Sequence, residues 1–123
     1  DHRDLHSFPT RRSSDLSDPK WSFIKYDENG FVTLVREKEV ISNEATVGIY
    51  NYRHGSDFVR YARRMIGKNI RVNNEFYVAP VYNEMIDDGK KIVFKDVGVN
   101  MYGLGIPEDL DAFLNNPVSR TVF

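Results

Sequence analysis

Apolar and polar positions first fall into a clear pattern at Trp21–Tyr26, a β-prone run, and Phe31–Val35, which alternates as a half-buried strand does. Between them, Asp27-Glu28-Asn29-Gly30 carries an Asn-Gly pair, which readily supplies positive φ, so the two runs predict a β-hairpin. A near-continuous apolar run, Ala45–Tyr52, predicts a third strand buried on both faces. Gly48 within it marks either a bulge or the close approach of a ligand or backbone. Phe58, Ala62, Met65 and Ile66 then recur at helical spacing, predicting a helix from Asp57 to Gly67 with Ser56 as its N-cap. A second helix is expected over Glu75–Asp87, with Phe76, Val81, Met85 and Ile86 on its apolar side. Pro80 inside it implies a break, a kink or a late start. Lys91–Val97 reads as a strand and Asn100–Leu104 as a short extended segment. Pro107 opens a last helix through Leu114, and the remainder is expected to be irregular. Strands alternating with helices indicate an α/β layered domain with a mixed sheet.

Residues 1–16, DHRDLHSFPTRRSSDL, show neither period and contain a single Phe. The string matches, codon by codon, the conceptual translation of a common sequencing-library adapter. The first residue is also not Met. The expectation is therefore an artefactual tail over residues 1–16, disordered and unpacked, joined to a domain over residues 17–123. Setting the tail aside removes three Arg and three Asp and leaves the net charge at −1. His2 and His6 go with it, so that His54 alone remains and a histidine cluster is excluded. His54 itself reads as a surface residue.

Composition narrows the function classes further. A balanced net charge of −1 over 123 residues, with Lys and Arg interleaved among acids, gives no bulk attraction for nucleic acid or an anionic membrane. Without cysteine there is no disulfide framework or thiolate metal site, which fits a cytoplasmic setting. No stretch approaches the roughly 18 apolar residues of a membrane span.

Four segments carry a resemblance in their order and spacing: FIKYDENGFVTLVREK (23–38), ATVGIY (45–50), IRVNNEFYVAPVYNE (70–84) and MYGLGIPEDL (101–110). Together they resemble the sugar-1-phosphate nucleotidyltransferases of capsule and surface-polysaccharide type, over essentially all of residues 20–115. The resemblance implies a partial Rossmann-like, GT-A-like α/β fold whose N-terminal half, on the order of a hundred residues, is missing. That half would hold the Gly-rich triphosphate loop, an Arg, a Lys and a metal-binding Asp, none of which is found here. It implies an enzyme that, as its full-length parent, transfers a nucleotidyl group from a nucleoside triphosphate to a phosphorylated acceptor. Pyrophosphate is released, Mg²⁺ serves as cofactor, and this fragment alone is expected to be inactive.

The resemblance also assigns residues to the acceptor. Glu37 and Lys38, ending a strand, would accept hydrogen bonds from hydroxyls and face a phosphate, respectively. Thr46 would hydrogen-bond the acceptor or be an ordinary β-branched strand residue, and Gly48 would let the acceptor pack on the backbone. Asn74 and Glu75 open the second predicted helix. Glu75 would sit near the acceptor or act simply as a first-turn acid. Gly103 departs from the family pattern, in which a metal-binding Asp stands there; Asp96 or Asn100 are the substitutes at hand. Ile106 replaces a frequent Thr cap. The aromatics Trp21, Phe23, Tyr50 and Tyr52 read as core. Two other readings stay open: a cytidylyltransferase for a non-sugar phosphate, and a catalytically silent module used in regulation or assembly.

Overall fold

A computed structural model describes residues 6–12, 18–98 and 107–121. In chain order the elements are β1 (His6–Arg12), β2 (Ser22–Tyr26), β3 (Val32–Glu37), β4 (Glu44–Thr46), α1 (Gly55–Gly67), α2 (Val81–Asp87), β5 (Ile92–Asp96) and α3 (Pro107–Leu114), followed by a 3₁₀ turn at Pro117–Thr121. The strands form one sheet in the order β3-β2-β4-β1-β5. It is mixed: β1 runs antiparallel to β4 and parallel to β5. The α/β layered class expected from the alternation is thus the observed one.

The hairpin forms because Asp27 organises its turn. Its Oδ1 accepts the N–H groups of Asn29 and Phe31, each at 3.0 Å, while Gly30 takes φ +82°. α1 and α2 cover one face of the sheet. Tyr61 and Met65 from α1, and Val81, Tyr82 and Met85 from α2, close over Phe8, Ile24, Val32, Val35 and Ile92. On the other face, Phe23 and Ala45 are buried with Trp21 and Ile41 against them.

The exposed edge at β3 is partly covered by a side chain. Asn83 of α2 donates to the Val35 carbonyl at 2.6 Å and accepts the Val35 N–H at 2.8 Å, as a neighbouring strand would. Asn83→Ala removes both bonds, and a loss of about 1–2 kcal/mol is expected. Urea denaturation of the variant beside the parent chain measures it.

Several expectations are corrected. Residues 6–12 are not an unpacked tail. They are a central strand, with His6, Phe8 and Thr10 buried on alternate positions. This period of two has only one large apolar member, so hydrophobicity along the chain does not announce it. Leu5 lies outside the described residues. The run 45–52 is not one strand: β4 stops at Thr46, Gly48 takes φ +83°, and pairing resumes only as an isolated bridge between Asn51 and Ser7. A residue in that left-handed region interrupts the ladder. The second helix starts at Val81, after Pro80. Asn74 and Glu75 therefore open no helix. They lie in a tight turn bridged from Val72 to Glu75, with Asn73 and Asn74 at φ +51° and +65°. α1 starts at Gly55 with His54 at the cap position, so Ser56 falls in the first turn instead of capping it. Residues 117–121, expected to be irregular, form the 3₁₀ turn. The expectations for Asn100–Leu104, including Gly103, and for Ile106 lie outside the described residues.

Candidate acceptor cleft

β2, β3 and the segment after β4 bring their polar ends together beside residues 77–79, around a cleft of about 320 Å³. Glu37, Thr46 and Gly48, all singled out from the sequence, line it. Glu37 is the last residue of β3, paired with Ser22 at the start of β2, so the hairpin register sets the two side by side. The Ser22 hydroxyl donates to the Glu37 carboxylate. Thr46 ends β4, and its Oγ1 lies 2.8 Å from the Tyr50 hydroxyl. Tyr50 reaches this point because the bend at Gly48 returns the chain over the cleft. A Cβ built on Gly48 would meet nothing within 4 Å, so the glycine is required by its φ and not by a close contact of the protein.

Burial pushes the Tyr50 phenol above its ordinary range, with the neighbouring Glu37 carboxylate acting in the same direction. The hydroxyl therefore stays protonated, a donor as well as an acceptor. Burial likewise pushes Tyr52 and Tyr82 upward. Those two rings stack at 4.8 Å, and Phe8 meets Tyr82 edge-on at 4.9 Å. The aromatics assigned to the core are there for Phe23, Tyr50 and Tyr52, while Trp21 packs on the second cluster and also lines the cleft.

Lys38 does not line the cleft. Its backbone turns at φ +59°, held by its N–H to the Trp21 carbonyl at 2.9 Å, and its ammonium sits over the Tyr77 ring at 5.3 Å from the centroid. Asn74 and Glu75 are exposed and stand outside the lining. The residues that sequence reasoning missed are Lys20, Ser22, Tyr50 and Tyr77. Ser22 was legible through its place opposite Glu37 in the hairpin; Tyr50 was read as core alone; Lys20 had no local signal.

A second polar cluster lies across β1, β4 and β5. Glu44, with 1% of its side chain exposed, accepts from Thr10 Oγ1 at 2.7 Å and from Arg12 Nε at 2.8 Å, and Arg12 also stands 3.8 Å from Asp96. Asp96 accepts the Gly98 N–H at 2.6 Å. Among the described residues no three such side chains are grouped to hold a metal ion. A guanidinium already lies between the two carboxylates, so this cluster does not fit Mg²⁺.

No family model and no curated protein matches the chain. Solved structures do. The nucleoside-diphosphate-sugar pyrophosphorylase from Vibrio cholerae RC9 superposes with a TM-score of 0.79 at 22% identity, over 94% of this chain and 48% of that one. The inositol-1-phosphate CTP transferase from T. maritima gives 0.61 at 15%, over 89% and 42%. The CMP:2-keto-3-deoxy-manno-octonic acid synthetase complexed with CTP gives 0.58 at 12%, over 97% and 50%. The chain thus has the fold of part of a nucleotidyltransferase. It spans about half the length of these three proteins.

Proposed function

We propose that this chain is the acceptor-binding part of a nucleotidyltransferase, its cleft supplied by residues 17–123, and that residues 1–16, of which 6–12 pack as β1, were joined to it at the level of the gene. The parent would transfer a nucleotidyl group from a nucleoside triphosphate to a sugar 1-phosphate and release pyrophosphate, supplying nucleotide sugars for surface polysaccharide. The observation that carries this reading is the cleft. Glu37, Ser22, Thr46 and Tyr50 place a carboxylate and three hydroxyls around a space of about 320 Å³, between a tryptophan and a tyrosine. Such a set exchanges hydrogen bonds with a polyhydroxylated ring and presents apolar faces to it. Attack by the acceptor's phosphate on the α-phosphorus then needs positioning and charge neutralisation more than covalent catalysis. Mg²⁺, if the parent uses it, would take its ligands from outside the described residues. Lys38, one residue beyond Glu37, is a candidate partner for the acceptor's phosphate, and Asn74 and Glu75 are candidates at a greater remove.

A second reading, cytidylyl transfer to a non-sugar phosphate, draws support from one of the three similar structures, described as a CTP transferase of inositol 1-phosphate. Calorimetric titration tests the cleft and ranks the two acceptors. Glucose 1-phosphate and inositol 1-phosphate are titrated into the chain and into Glu37→Gln. The variant keeps the Ser22 hydrogen bond but loses the charge. Acceptor binding is expected to weaken roughly 10- to 100-fold, the loss of a charge-assisted bond of about 1.5–3 kcal/mol. Unchanged binding in the variant would remove Glu37 from the acceptor and with it the reading of the cleft.

A further inference from the structure

Among the described residues that line the cleft, Lys20 is the only cation and Glu37 the only anion. Lys20 is not free. Its Nζ lies 2.9 and 3.0 Å from the two carboxylate oxygens of Asp109, in the first turn of α3, and 3.7 Å from Asp18. Both partners of the main pair are partly open to water, with 31% of the Lys20 side chain and 23% of the Asp109 side chain exposed. The ammonium also stands over the Trp21 ring, 5.1 Å from its centroid. A lysine at the wall of a cleft of hydroxyl groups, with both oxygens of one carboxylate turned on it, is charged but neutralised. Its hydrogen bond to Asp109 holds its pKa above the ordinary value, so it remains an ammonium throughout the neutral range.

Building on the acceptor reading of the cleft, we propose that Lys20 and Asp109 form a latch. In the unliganded chain Asp109 occupies the Lys20 ammonium. An acceptor carrying a phosphate displaces Asp109 and takes Lys20 as its cation, while the hydroxyl groups of the same ligand meet Glu37, Ser22, Thr46 and Tyr50. The latch makes α3 respond to occupancy of the cleft, since the first turn of that helix loses its tie to the segment before β2 when the phosphate arrives. It also sets specificity. A neutral polyol gains nothing from Lys20 and leaves the pair closed, whereas an anionic one opens it. A surface ion pair with water access to both partners contributes little to stability, and so is readily exchanged for a dianionic phosphate.

Trp21 reports the event, because it is the sole tryptophan of the chain and lies within cation–π distance of the Lys20 ammonium. The test uses the full chain and follows tryptophan emission and calorimetric heat with glucose 1-phosphate, and with glucose as the neutral probe. Asp109→Asn, which frees Lys20, is expected to bind glucose 1-phosphate about 3- to 10-fold more tightly than the parent chain, and glucose with unchanged affinity. Lys20→Ala should weaken glucose 1-phosphate roughly 10- to 100-fold and abolish its emission change, again without effect on glucose. In the double variant the gain from Asp109→Asn should vanish, and Lys20→Arg should restore most of the binding. Glucose 1-phosphate binding that is the same in all four variants as in the parent, with Glu37→Gln still weakened, would overturn the latch and leave the cleft reading standing. No binding of glucose 1-phosphate to any form would overturn both.

Discussion

Phe8→Ala is expected to lower the stability of this chain by about 3–5 kcal/mol, the range for removing a fully buried aromatic ring. Phe8 is 2% exposed, sits between the Tyr82 and Tyr50 rings at 4.9 and 5.9 Å, and belongs to the strand that joins β4 to β5. Against a total of about 5–15 kcal/mol for a small domain, such a loss leaves a barely folded molecule. Urea denaturation followed by circular dichroism reads it directly. The neighbouring outward position supplies the control: Ser7→Ala on the same strand should shift the midpoint only slightly. A Phe8→Ala midpoint equal to that of the parent chain would mean that residues 6–12 do not pack in solution, as composition alone had suggested.

The second large effect is at Glu44, a carboxylate enclosed by the sheet. Burial, the largest influence, raises its pKa, with Asp96 acting the same way, while the hydrogen bonds from Thr10 and Arg12 and the charge of Arg12 lower it. The net direction is upward, so the folded chain holds this proton to a higher pH than the unfolded chain, whose Glu titrates near roughly 4.3. Between those two values the unfolded state binds fewer protons. The contribution of Glu44 to stability therefore falls as pH rises through the window and is level above it. Glu44→Gln should flatten this descent. Arg12→Ala should deepen it, because it removes one donor and the compensating charge. About 1–3 kcal/mol is expected at neutral pH, the cost of a buried acceptor left partly unsatisfied. That deficit should shrink as the solution is acidified through the raised pKa of the carboxyl, which then takes up its proton. Urea midpoints across that range, compared among the three chains, are decisive: an Arg12→Ala deficit that does not change with pH would show that Arg12 acts only through packing.

The parts of this fold that could be read in the sequence are those whose signal is local. The hairpin was legible because DENG spells its turn and FVTLV alternates. α3 was legible because Pro107 marks its first turn. Glu37, Thr46 and Gly48 were named from the resemblance as candidates for the acceptor, and the structure brings those three to one cleft, while Lys38, Asn74 and Glu75 stand outside its lining. What escaped depended on distant partners. β1 owes its existence to β4 and β5, and only Phe8 among its residues advertises burial. The break after Thr46 follows from the conformation of Gly48, whose two readings the sequence left equal. Lys20 earns its place through Asp109, far along the chain, and no window of sequence contains both.

The position of β1 has a consequence for how the chain can be made. Its parallel partner β5, Ile92–Asp96, is the last strand among the described residues, and the register runs from His6 opposite Ile92 to Thr10 opposite Asp96. During synthesis β1 thus waits for β5 before one of its edges is covered, while β4 closes the other edge earlier. Until then that edge presents unpaired N–H and C=O groups, the condition under which extended segments find wrong partners. Pro9, in the middle of β1, does not guard that edge, because its carbonyl accepts the Val47 N–H and its missing N–H therefore lies on the β4 side. The group left waiting is the Thr10 carbonyl, which in the finished fold accepts the Val97 N–H at 2.7 Å.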